Sequence, residues 1–264
     1  MVQEIPFYIV CFNRIYGLQQ AMAFVGRSSI PLKPVVLDMG STWEPFISYR
    51  DSLGIRVEQF DYGVGPRDLF INGFLFDDGK GPFFFSDGDL DYSKTSNRAF
   101  ENLKKISEKY PWFPKIGLAL PLSDVPHDDE GKRVRKWERD NWRVKFSNGV
   151  YLNGVDTTIA YYPKREETFY YRPSLRLAAS NSAIHYPWFE RQDSEEAIFY
   201  SSLARANISS SAAGDTPTFR YRIKHSVLIC LYFISCVPLR FSVTGPFFIK
   251  MLARNGTIQS KRSQ

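Results

Sequence analysis

In its first third the chain alternates short apolar runs, rich in β-formers, with segments of helical spacing, and this alternation restricts the fold more than any other feature. Residues 5–12 (IPFYIVCF) are a continuous apolar run that ends at Asn13-Arg14. Residues 16–26 follow, with Leu18, Met22 and Val25 spaced along one helical face. A second run at 33–37 ends at Asp38-Met39-Gly40-Ser41-Thr42. There Ser41 or Thr42 can cap a helix that carries Trp43, Phe46, Ile47 and Leu53 toward a stop at Gly54. Residues 55–60 and 81–86 (GPFFFS) read as a third and a fourth strand. Repeated strand–helix units specify an α/β protein, a sheet flanked by helices. In such sheets ligands bind beyond the carboxyl ends of the strands, here at Asn13-Arg14, 38–42 and 87–91.

Farther along, residues 94–110 predict a charged amphipathic helix (Phe100, Leu103, Ile106), and 115–122 (KIGLALPL) a further strand. Residues 124–136 are polar and read as a loop, and 137–171 as mixed strand and loop. The small, polar stretch 207–218 (NISSSAAGDTPT) is the best boundary, dividing a domain at 1–215 from a tail at 216–264.

The segment FFFSDGDLDY carries the most chemistry. An apolar strand delivers Asp87, Asp89 and Asp91 to its end, with Gly88 between the first two. Clustered carboxylates repel one another unless a cation sits among them, and hard oxygen donors of this kind suit Mg²⁺ or Mn²⁺. An EF-hand loop starting at Asp87 fails, because position 6 would be Tyr92 and position 12 Arg98. A haloacid-dehalogenase-like phosphotransferase with Asp87 as nucleophile fits locally, but that motif opens its fold, and here strand–helix units precede it. A solvated acidic turn on a non-catalytic, membrane-bound scaffold is a third class.

Charge is unevenly spread. Lys and Arg number 34 against 28 Asp and Glu, a net +6, yet Asp215 is the last acidic residue and eight Lys or Arg follow it. The body is thus near neutral and the tail basic, so a nucleic-acid reading rests on the tail alone. The tail is too apolar for phosphate contact to explain it, and no nucleic-acid partner is expected. Its run at 226–239 has 14 residues, about 21 Å as a helix against a hydrocarbon core of about 30 Å. With Arg220, Arg222 and Lys224 before it and Arg240 after, it suits an interface helix on an anionic membrane. The three cysteines (Cys11, Cys230, Cys236) are odd in number and show no CxxC, which suggests a reducing compartment without a disulfide framework. The opening residues lack the pattern of a signal peptide. A cytoplasmic protein, peripheral on the cytoplasmic membrane face, is the expectation.

Taken in order, these segments resemble the nucleotide-sugar half of GT-A glycosyltransferases. The resemblance covers roughly residues 5–190 and includes FSDGDL at 85–90, KIGLALPLSDVP at 115–126, Trp137-Glu138 with Trp142, DTTIAY at 156–161 and HYPWF at 185–189. That is the order of motifs in small bacterial surface-polysaccharide transferases. The resemblance implies a Rossmann-like mixed sheet and transfer of a sugar, of the hexosyltransferase type, from a nucleotide-sugar to a glycan or lipid-linked acceptor. It implies that Asp87, Asp89 and His185 hold Mn²⁺ or Mg²⁺, and that Asn13, Arg14, Asp38 and Asp87 line the donor pocket. A base for the acceptor hydroxyl would be Asp156, or else Glu138; a retaining enzyme would need none. Trp188, beside His185 and fixed by Pro187, would face the acceptor sugar. Asp193, Glu195 and Glu196 read as the N-terminal turn of a helix, with acceptor contact as the alternative.

Overall fold

A computed structural model of the chain describes residues 3–123, 125–155, 159–165, 174–189 and 193–203. Asp156, the 207–218 boundary and the tail lie outside the described residues. The first apolar run is β1 (Ile5–Cys11), buried on both faces: Phe7 meets Phe100 with ring centroids 5.1 Å apart, and Tyr8 meets Phe83 at 5.6 Å. A strand covered on both sides has no polar face, so its sequence is continuous rather than alternating. α1 (Ile15–Arg27) returns the chain to β2 (Leu32–Asp38), and α2 (Glu44–Ser52) leads to β3 (Arg56–Gln59). Two short helices, α3 (Pro66–Ile71) and α4 (Phe74–Asp77), precede β4 (Phe83–Asp87). Next come β5 (Leu90–Asp91), α5 (Ala99–Lys109), β6 (Ile116–Leu118), α6 (Asp129–Glu138), β7 (Lys145–Ser147), β8 (Val150–Asn153), β9 (Ile159–Tyr162), β10 (Ser174–Leu177), β11 (Ile184–His185) and α7 (Glu195–Ser202).

Nine strands form one sheet in the order β3-β2-β1-β4-β9-β6-β10-β8-β7, and β5 pairs separately with β11. The first four strands are mutually parallel, whereas β9 runs antiparallel between β4 and β6. This is the mixed, helix-flanked sheet expected. Aromatic side chains fill the layers on its two faces. Phe24, Phe84 and Phe100 pack on one side, and Phe70, Phe83, Phe85 and Tyr162 on the other, Phe83 and Tyr162 stacking at 4.7 Å.

Several boundaries differ from expectation, each for a local reason. α5 starts at Ala99 rather than 94 because Thr95, Ser96 and Asn97 bond elsewhere: Ser96 N–H donates to Ser180 O at 2.7 Å and Thr95 Oγ1 to Ser182 O at 2.8 Å. Within 124–136, expected to be loop, lies most of α6, whose N-cap Asp128 accepts from Gly131 N–H at 2.7 Å. α2 starts at Glu44 without a side-chain cap of its own. Instead Asn13 Oδ1, on the neighbouring loop, accepts from Thr42 N–H at 2.8 Å and Trp43 N–H at 2.9 Å. α3 and α4 are too short to leave a periodic signal.

Candidate functional site

Three carboxylates converge at the carboxyl ends of the parallel strands. In register, Cys11 stands opposite Asp38 and Val10 opposite Asp87, so β1 ends between the two aspartates. The buried Cys11 thiol reports their closeness: burial first, then the charges of Asp38, Asp89 and Asp87, push it well above its usual range. The acidic turn is seated against β1 and α1 by two glycines. A Cβ on Gly88 would lie 2.5 Å from Val10 O, and one on Gly17 only 2.0 Å from Gly88 O. Glycine is required at both for close approach.

Asp89 faces the later segment. Its Oδ2 lies 3.4 Å from His185 Nε2, and Tyr186 N–H donates to its carbonyl at 3.0 Å. Burial alone would raise the Asp89 carboxyl; His185 and, at longer range, Arg14 outweigh it and hold it below the usual carboxylate range. Asp89 Oδ1 and His185 Nδ1 are both buried without a hydrogen-bond partner. A carboxylate and an imidazole in contact through Oδ2 and Nε2, each with a further buried polar atom unpartnered, are donors of the kind a divalent cation such as Mn²⁺ takes. Among the described residues no three His, Cys, Asp or Glu side chains are gathered closely enough to hold a metal ion together. Of the expected set of Asp87, Asp89 and His185, the last two are in contact, and Asp87 ends β4.

On the β2 side, Asp38 is 2 % exposed, bonds to Arg50 and accepts from Ser41 N–H at 2.9 Å. It borders a cavity of about 290 Å³ lined also by Gly40, Ser41, Gln59, Phe60 and Asp61. Gly40 has φ +79° and would clash with Tyr62 if it carried a side chain, so it shapes this cavity's wall. Asn13, fully buried with φ +52°, ties the first two loops together, and its Nδ2 has no partner. Arg14, also buried, lies 3.5 Å from Glu196 and under the Tyr200 ring, 3.9 Å from its centroid. Trp188 packs beside His185 with centroids 4.8 Å apart. A second cavity of about 260 Å³ lies along the acidic turn between Tyr16, Asp91 and Tyr186.

The structure thus brings Asn13, Arg14, Asp38, Asp87, Asp89, His185 and Trp188 to one end of the sheet. Glu138 is elsewhere: it pairs with Arg176 at 2.6 Å, both 4 % exposed, and accepts from Asn141 at 2.5 Å. Asp156 is outside the described residues. Sequence reading missed Gln59 at the first cavity and Arg50 bonded to its Asp38. It placed Glu196 correctly in the first turn of α7 but not in contact with Arg14, since the two are 182 residues apart.

No protein-family model matches the sequence, and no curated protein matches it. Solved structures similar to the chain include S. aureus TarS 1–349, at 14 % identity and a TM-score of 0.36 over 48 % of this chain and 38 % of that one. Another is glucosyl-3-phosphoglycerate synthase from Mycobacterium tuberculosis in complex with Mn²⁺, uridine-diphosphate-glucose and phosphoglyceric acid. It is 13 % identical, with a TM-score of 0.40 over 61 % of this chain and 56 % of that one. The chain spans 38 % and 56 % of the lengths of these two structures.

Proposed function

We propose that the chain is a metal-dependent glycosyltransferase of the GT-A kind, moving a sugar from a nucleotide-sugar to a glycan or lipid-linked acceptor in polysaccharide biosynthesis. The observation that carries the reading is the contact of Asp89 with His185, each keeping a buried polar atom without a partner, by the strand ends that carry Asp38 and Asp87. Asp89 and His185, with Asp87, would hold Mn²⁺ or Mg²⁺, which when bound stabilises the negative charge of a departing nucleoside diphosphate. Asp38 and Asn13 border the cavity and loop where the nucleoside would sit, the unpaired Asn13 Nδ2 supplying a hydrogen-bond donor. Arg14 adds positive charge on the same side. Trp188 would offer an apolar face to the acceptor ring. Asp156 is the proposed base for the acceptor hydroxyl. The enzyme would work at the cytoplasmic membrane face, held there by the basic tail.

The test is release of nucleoside diphosphate from UDP-, GDP- and dTDP-sugars, with Mn²⁺ and then with EDTA. EDTA should abolish release. Asp89→Asn should lower it at least about 100-fold, as loss of several kcal/mol of charge stabilisation requires. Undiminished turnover in either condition refutes the metal assignment; release of inorganic phosphate with a phosphorylated Asp87 would mean a phosphotransferase.

A further inference from the structure

α1 has an unusual N-terminus. Its N-cap residue is Arg14, whose side chain caps nothing, and no acidic residue occupies its first turn. A helix start with a cation and no local acceptor is doubly unfavourable, since free N–H groups and a positive charge face the positive end of the dipole. The remedy comes from α7. Glu196 Oε2 accepts from Ile15 N–H at 2.7 Å and from Tyr16 N–H at 3.0 Å, while Oε1 lies 3.5 Å from Arg14 Nη1. One buried carboxylate therefore caps α1 and contacts its arginine.

The same face of α7 grips both loops of the candidate site. Residues 196, 199 and 200 share a face by helical spacing. Phe199 stacks on Trp43 at 5.7 Å, and Tyr200 covers Arg14 and meets Phe12 at 6.0 Å. A helix held merely by burying an apolar stripe would look different. The only buried residues of α7 are Glu196 and Ala197, and its Ile198 is 56 % exposed. Glu196 and the Tyr200 ring together tie α7 to residues 12–16.

We infer that Glu196 is a positioning residue for the donor site: through Ile15, Tyr16 and Arg14 it fixes the loop that presents Asn13 and Arg14 to the nucleotide. This rests on the nucleotide-sugar reading above. The full chain is compared with Glu196→Ala and Glu196→Gln, the amide keeping an oxygen acceptor but losing the charge. UDP affinity in Mn²⁺ is read by tryptophan fluorescence, and donor KM and kcat separately. Glu196→Ala should weaken UDP about tenfold (~1.4 kcal/mol) and raise donor KM to match, with kcat at saturation within about twofold of wild type. Glu196→Gln should fall between. A purely structural role would instead lower kcat with the folded fraction and leave KM unchanged, and that result overturns the inference. Equal UDP affinity in all three proteins overturns it too. A wild-type chain that binds no UDP, GDP or dTDP defeats the nucleotide reading itself, and the positioning role with it.

Discussion

At the scale of single residues, contact between Gly17 and Gly88 determines where the acidic turn sits. Gly17 lies in the first turns of α1, and Gly88 between the two aspartates proposed to face the metal. A Cβ on Gly17 would stand 2.0 Å from the Gly88 carbonyl oxygen, far inside van der Waals contact, and would meet backbone rather than a side chain that can rotate away. Gly17→Ala should therefore destabilise the protein by about 1–3 kcal/mol, the range for overpacking a tight interface, read as a lower urea midpoint at unchanged slope. It should also reduce Mn²⁺-dependent turnover by moving Asp89 away from His185. A variant as stable and active as wild type would show that the turn has room the geometry denies. Gly88 lies in the turn that follows β4, and it also lets β1 pass at 2.5 Å from where a side chain would start. Spacing along one strand cannot reveal that, because the neighbour is another strand.

At the scale of elements, α6 and β10 are joined by the Glu138–Arg176 pair, buried at both ends and extended by Asn141. Removing one partner of such a pair leaves an uncompensated buried charge. Glu138→Ala should therefore be destabilising by about 3–5 kcal/mol, and Glu138→Gln by less. The same variants discriminate between roles for Glu138. As a structural partner, Glu138→Gln keeps most of its turnover once folded protein is measured. A fall in kcat of about 100-fold with an unchanged unfolding midpoint would return Glu138 to the chemistry. Sequence pattern was informative where elements are long or apolar: β1, α1, β2 and β4 were all anticipated, and with them the strand ends that carry Asn13, Asp38, Asp87 and Asp89. It failed where a helix is short, as α3 and α4 are, or highly charged, as α6 is. It also failed where a cap comes from afar, as Asn13 serves α2 and Glu196 serves α1. Such partners are set by the order of strands in the sheet, which local periodicity does not encode.

At the scale of the whole molecule, charge separates along the chain. With the last acidic residue at Asp215, the remaining 49 residues hold eight cations and no anions, while everything before them is slightly acidic. The net positive charge that an anionic membrane would attract is thus confined to the end of the chain. Each Lys or Arg near an anionic leaflet contributes about 1 kcal/mol. Replacing Arg220, Arg222 and Lys224 with Gln should therefore weaken binding to phosphatidylserine-containing vesicles on the order of 100-fold at low salt. Raising the ionic strength should weaken the wild-type chain in the same direction, since the screening length falls to about 10 Å at 0.1 M. Vesicle co-sedimentation of the full chain measures both effects. Donor turnover on a soluble acceptor should be unchanged by the three substitutions, because none of the three residues is among those placed at the strand ends. If the wild-type chain leaves anionic and neutral vesicles equally unbound, the tail is no membrane anchor, and the cytoplasmic-face placement goes with it.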